Sequence, residues 1–105
     1  MLHPNLRLRH LRCFFETARL GSLSAAAEAL HVSQPAASKT IRDLEEILGA
    51  ELFDRSGRRL TLTAAGKLFQ SHAGAAIAAL ERAQDLLRTP ITPRRKLALG
   101  ALPTA

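Results

Sequence analysis

A mainly α-helical fold, three helices with a short two-stranded wing followed by one long helix, is predicted by three observations. Residues 23–39, LSAAAEALHVSQPAASK, place two helical segments about a tight turn. Residues 52–62 carry two short apolar stretches on either side of an arginine-rich turn that contains Gly57. Beyond Thr63, the residues Phe69, Ala73, Ala76, Leu80, Ala83 and Leu87 recur at spacings of four, three, four, three and four, the heptad seam of a long helix. Composition agrees with this class. The 105-residue chain is 47% hydrophobic with four Phe and neither Trp nor Tyr, so Leu, Ala and Phe must build the core, and that mixture favours close-packed helices over a sheet.

Met1 to Leu8 form a lead-in, after which Leu11, Phe14, Phe15 and Ala18 recur at helical spacing until Gly21 stops the first helix. Ser22 or Ser24 caps the second, whose Leu23, Ala27 and Leu30 share one face; small alanines there let another helix approach closely. Val32 fills the turn. Ser33 then caps a third helix that runs to Leu48, and Pro35 is tolerated in its first turn because the N–H groups there have no intrahelical partners. Ala37, Ile41, Leu44 and Leu48 form its inner face, with Gly49 as its stop. The outer face is divided. Gln34, Pro35, Ser38, Lys39 and Arg42 occupy its first half, whereas Asp43, Glu45 and Glu46 cluster in the second, so only the N-terminal half suits a polyanion.

Leu52 and Phe53, the polar run from Asp54 to Arg59, and the alternating Leu60, Thr61 and Leu62 read as a wing of two short strands with arginines at its tip. Strands this short are marginal alone, so Leu52, Phe53, Leu60 and Leu62 must pack on the helices. From Thr63, an N-cap, the long helix extends to about Arg88, before Thr89 and Pro90 end it. Its seam points to a homodimer, the other reading being a helix that lies on its own core. Residues 91–96 read as a hinge, and residues 97–102 as the first strand of a further domain. The organisation expected is therefore a winged helix-turn-helix over 1–62, a linker helix over 63–89, and a hinge with a first strand over 90–105.

Fifteen Lys and Arg against nine Asp and Glu give a net charge of +6, which suggests a polyanionic partner. A capped helix with an exposed polar start, beside a basic wing, is suited to a DNA groove. The single cysteine, Cys13, cannot form an intrachain disulfide; as a small, partly buried residue it is assigned no role, a redox sensor being the sharper alternative. No apolar run of about 18 residues and no secretory signal is present, so a cytoplasmic protein without a membrane partner is expected. His3, His10, His31 and His72 show no metal-ligand spacing, and neither a phosphate loop nor a nucleophile–base pairing occurs, which argues against an enzyme, a metal or a cofactor.

The text from Ala26 to Ser38, then Ile41-Arg42-Asp43-Leu44-Glu45, Leu52-Phe53-Asp54-Arg55 and Leu62-Thr63-Ala64-Ala65-Gly66, closely resembles the LysR-type transcriptional regulators over about residues 8 to 102. Several separated motifs stand in the right order, where any one alone would be a weak signal. The resemblance implies a winged helix-turn-helix, a linker helix through which two chains dimerise, antiparallel, and an effector-binding domain that begins at a strand similar to Gly100-Ala101-Leu102-Pro103-Thr104. Tetramers and a small-molecule effector are implied for the full-length protein only. Within the family the wording is most similar to regulators of protocatechuate and related aromatic catabolism.

Phosphate contacts fix register and base contacts specify sequence. Gln34 can pair bidentately with adenine, Pro35 and Ala36 can touch a thymine methyl, and Lys39 can donate to guanine or phosphate; Ser38 joins this base-reading set. Many relatives have Arg where this chain has Lys39, which lacks the planar fork for strict guanine readout. Arg42 grips phosphate, Ser33 both caps and touches phosphate, and Ser22 and Ser24 are phosphate candidates at the start of the second helix. In the wing, Arg58 and Arg59 are candidates for a narrow minor groove, while Arg55 is divided between phosphate and an ion pair with Asp54. The reading is a dimeric regulator of an interrupted dyad in double-stranded DNA; the alternative is a winged-helix protein-interaction module whose basic surface meets an acidic partner.

Overall fold

The structure is a computed structural model that describes residues 1–88. Among the described residues there are four helices, α1 (Leu8–Leu20), α2 (Leu23–Leu30), α3 (Gln34–Leu48) and α4 (Ala64–Arg88), with the strands β1 (Phe53–Asp54) and β2 (Thr61–Leu62) between α3 and α4. The mainly helical winged architecture expected from sequence is therefore observed; the expected hinge and strand over 90–105 lie outside the described residues. The chain divides into two compact units, Met1–Ala73 and the stretch from Gly74 on.

Each helix boundary in the first unit has a local cause. The hydroxyls of Ser22 and Ser33 accept the N–H groups of Ala25 and Ala36, at 3.1 and 3.2 Å, so Ser22 and not Ser24 caps α2. Thr63 Oγ1 accepts from the Gly66 N–H at 3.0 Å and donates to the Glu51 carbonyl at 2.6 Å, which joins the start of α4 to the chain entering the wing. α1 ends at Gly21 (φ 68°) and α3 at Gly49 (φ 69°), both left-handed. α2 ends at His31 with φ 60°, a conformation uncommon outside glycine, where the Val32 N–H reaches back to the Ala27 carbonyl at 3.0 Å. Val32 fills the turn only in part: 46% of it remains exposed.

The core gathers Cys13 and Phe14 of α1, Ala27 of α2, Ala37, Ile41 and Leu44 of α3, and Leu52 and Phe53 of the wing. Phe14 is its centre, with ring centroids 5.2 Å from Phe15, 5.5 Å from Phe53 and 5.2 Å from Phe69. Ala26 and Ala27 of α2 and Ala37 of α3 are buried, small side chains of the kind that admit a neighbouring helix. β1 and β2 pair antiparallel, Phe53 opposite Leu62 and Asp54 opposite Thr61, and Leu60 and Leu62 pack against the core as expected.

The heptad seam meets two fates. Phe69 lies on Phe14, and Ala73 is buried within the first unit, so both serve the core of their own chain. In the second unit Ala76 and Ala83 are exposed, as are Leu80 (67%) and Leu87 (80%).

One buried titratable group bears on stability. His10 is 2% exposed, and its Nδ1 accepts the Arg7 N–H at 2.9 Å at the start of α1. Burial, then the charge of Arg9, hold its pKa below the ordinary value of 6.5, against the opposing charge of Asp43. The unfolded chain therefore binds the proton more readily. Stability is full above pH 6.5 and is lost as pH falls through 6.5 toward the lower folded value, and a proton on Nδ1 also removes the acceptor for Arg7. Urea midpoints should fall between pH 7.5 and 5.5 for the wild type and change less for His10→Gln; equal shifts would exclude His10 as the source.

Candidate nucleic-acid interface

The first turn of α3 is capped by Ser33 and faces solvent. Ser33 and Pro35 satisfy or dispense with early N–H groups, and Gln34, Pro35 and Ala36 are all exposed, with Lys39 beyond them and Ser38 half-buried. Ser24, exposed at the start of α2, donates to Gln34 Oε1 at 2.9 Å, which fixes the amide and leaves its Nε2 free to donate. Arg42 reaches back along the helix to Ser38 Oγ at 3.0 Å, so these two act as a pair. Gln34, Pro35, Ser38 and Arg42 together line one shallow depression.

Lys39 is bonded to Asp43 one turn on, Nζ to Oδ2 at 2.8 Å. That hydrogen bond is the main reason the Asp43 carboxyl titrates below its ordinary range, with the charges of Lys39, His10 and Arg42 adding to it. An exposed i,i+4 pair is weak, so Lys39 can exchange this partner for a phosphate or a base.

In the wing the three arginines take different positions. Arg58 is exposed and has no ion pair among the described residues. Arg59 does not stand beside it: its Nη2 donates to the Leu20 carbonyl at the end of α1 at 3.2 Å. The guanidinium lies over Gly21, where a Cβ would fall 2.5 Å from Nη2, and the Leu60 N–H donates to the Gly21 carbonyl at 3.0 Å. Gly21 is required by its positive φ; the guanidinium beside it is the movable end of a flexible side chain and sets no such demand. Arg55 pairs with Glu45 of α3 at 3.3 Å and not with Asp54, the partner weighed from sequence. Asp54 Oδ1 instead accepts from the Ser56 N–H at 2.9 Å and its hydroxyl at 2.7 Å, which closes the turn and lowers the Asp54 pKa. Glu45 also accepts the Leu52 N–H at 2.8 Å, so one carboxylate holds both the entry of the wing and its first arginine. Neither role is visible in the sequence, because the partners of Glu45 and Gly21 lie distant along the chain.

Cys13 is buried, and burial raises its pKa; its Sγ points to the Ala37 carbonyl at 3.6 Å, so it is a neutral packing residue and not a reactive thiol. Among the described residues no three His, Cys, Asp or Glu side chains are grouped to hold a metal ion. No helix among them is long and apolar enough to cross a membrane.

A helix-turn-helix with a polar, uncharged helix start, flanked by cations and a basic wing, defines the class of nucleic-acid-binding winged-helix domains. Residues 8–67 match the family model for bacterial regulatory helix-turn-helix proteins of the LysR family, and this chain belongs to that family. It is 44% identical over 105 residues to the HTH-type transcriptional regulator PcaQ of Agrobacterium fabrum, covering 99% of this chain and 34% of that protein. It is 41% identical over 100 residues to the Hca operon transcriptional activator HcaR of Escherichia coli, covering 95% and 34%. The chain thus spans about a third of the length of these curated relatives. Among solved structures, the complex of the BenM DNA-binding domain with benA site 1 DNA matches with a TM-score of 0.75 and 31% identity, over 79% of this chain and 93% of that one.

Proposed function

We propose that this chain is the sequence-specific DNA-binding part of a non-enzymatic, cytoplasmic LysR-type regulator that binds an interrupted dyad as a dimer and controls an aromatic catabolic operon. The observation that carries the reading is the exposed start of α3, where Gln34, Pro35 and Ala36 meet solvent with Ser38 and Lys39 behind them. The likeness to a BenM domain in complex with DNA, and to PcaQ and HcaR, supports it. Gln34, with Oε1 engaged by Ser24, presents its amide to adenine; Pro35 and Ala36 offer apolar contact to a thymine methyl; Lys39 donates to guanine or phosphate. Ser22, Ser24, Ser33 and Arg42 face phosphates around the helix start, and Arg55 adds charge from its place beside Glu45. Arg58 is the minor-groove cation, and Arg59 fixes the wing that carries it. Dimerisation uses the exposed part of the α4 seam, Ala76, Leu80, Ala83 and Leu87, whereas Phe69 and Ala73, read from sequence as part of the same interface, are taken up within their own chain.

The test is fluorescence anisotropy with a dyad promoter duplex and a scrambled one across salt concentrations. A preference for the dyad of about 10³ or more is expected. Equal affinity for both would overturn sequence-specific regulation and favour the interaction-module alternative. Lys39→Ala and Arg58→Ala should each weaken dyad binding by about 1 to 3 kcal/mol. Lys39→Ala should also reduce the preference if Lys39 reads a base, whereas a uniform loss on both duplexes would place it on phosphate.

A further inference from the structure

The face of α3 is asymmetric in a way the assigned contacts do not use. Gln34 and Ser38 turn toward the start of α2, where Ser24 meets Gln34, and Glu45 on the same side holds the wing. Ala36 and Thr40 lie two residues further on, about 200° round the helix axis, and so border the other flank. That flank is built by α1: Arg9, Arg12 and Cys13 line a depression with Val32, Ala36 and Thr40.

Arg9 and Arg12 are exposed, one turn apart on α1, and neither forms an ion pair among the described residues. Asp43 and Glu46 border Arg9 on its far side, but Asp43 is bonded to Lys39. Arg12 has no acidic neighbour in its depression. An α-helix lying in a major groove has a sugar–phosphate backbone along each wall, and the groove is about 12 Å wide. The phosphate contacts proposed for Ser22 and Ser24 at the start of α2 serve only one wall.

We infer that Arg9 and Arg12 form a second phosphate clamp, gripping the DNA strand opposite to the one faced by Ser22 and Ser24. The inference rests on the DNA reading above and extends it to a surface outside the helix-turn-helix and the wing. Guanidinium groups at this flank match phosphate in charge and geometry, and they carry no sequence information, so they add affinity without selectivity.

The discriminating measurement is the slope of log affinity against log salt for the wild type, Arg9→Gln, Arg12→Gln and the double variant, on the dyad and scrambled duplexes. Arg19→Gln, on the last turn of α1, controls for loss of net charge. Each lost contact should flatten the slope by about 0.9, or about 1.8 for a dimer with both copies altered. Affinity should fall by the same factor on both duplexes, and Arg9→Lys with Arg12→Lys should restore the slope. A slope unchanged in the double variant, or one altered as much by Arg19→Gln, would overturn the clamp. If the wild type shows no dyad preference while these slopes still change, sequence-specific reading fails and the clamp stands; if the preference is present and the slopes do not change, the clamp alone fails.

Discussion

Truncation of Phe14 to alanine should lower the unfolding free energy by about 3 to 5 kcal/mol, the range for emptying a core of one large aromatic side chain. Phe14 is fully buried and is the ring against which Phe15, Phe53 and Phe69 pack, so it joins α1 to the wing and to the start of α4. Edge-to-face packing contributes beyond area, and the three rings would be left facing a void, since the core alanines Ala27 and Ala37 are too small to fill it. Urea denaturation provides the test, with Phe15→Ala as comparison because Phe15 is only half-buried. The midpoint should fall much further for Phe14→Ala; a loss below about 1 kcal/mol would mean the core can collapse around the site.

Gly66→Ala should destabilise the domain although it places a better helix former within α4. A Cβ at Gly66 would lie 2.2 Å from the Leu52 carbonyl oxygen and 2.9 Å from Leu62 Cδ2, so the obstruction is largely backbone. The helix-propensity gain is about 1 kcal/mol, whereas overpacking against a fixed neighbour costs about 1 to 3 kcal/mol or more. The start of α4 must move away from the wing. Leu52 cannot yield easily, because its N–H is held by Glu45 and its carbonyl accepts the Thr63 N–H at 3.0 Å. A net loss of about 1 to 2 kcal/mol should lower Tm by several degrees for a domain of this size. An unchanged or higher Tm would show that the start of α4 shifts freely.

What the sequence made legible was local. Ser33 and Thr63 as caps, Gly21 and Gly49 as stops, and the apolar periodicity of α1 and α3 are signals contained within one or two turns, and the structure shows each of them in place, whereas the sequence left the cap of α2 between Ser22 and Ser24. The wing strands could be read because Leu60 and Leu62 alternate with Thr61. Long-range choices were not legible in the same way. Nothing near Arg59 in the sequence announces the Leu20 carbonyl, 39 positions away, and Arg55 has an acidic neighbour at Asp54 yet pairs with Glu45. Periodicity also identifies a face without identifying what covers it. The seam on α4 runs unbroken in the sequence, but in the first unit Phe69 packs on Phe14 and Ala73 is buried, while Ala76, Leu80, Ala83 and Leu87 of the second are exposed. Burial of His10 was equally invisible, since a histidine beside arginines reads as solvated surface.

The wing is fastened at both ends to helices that come before it: Leu60 and Arg59 to the end of α1, Leu52 and Arg55 to Glu45 of α3, with Asp54 closing the turn on Ser56. Fixing the backbone of a residue costs about 1 to 2 kcal/mol of conformational entropy. For the segment that bears Arg58, much of that loss is taken when the domain folds. On the proposed reading, in which Arg58 enters a minor groove, encounter with a duplex then orders little more than that one side chain.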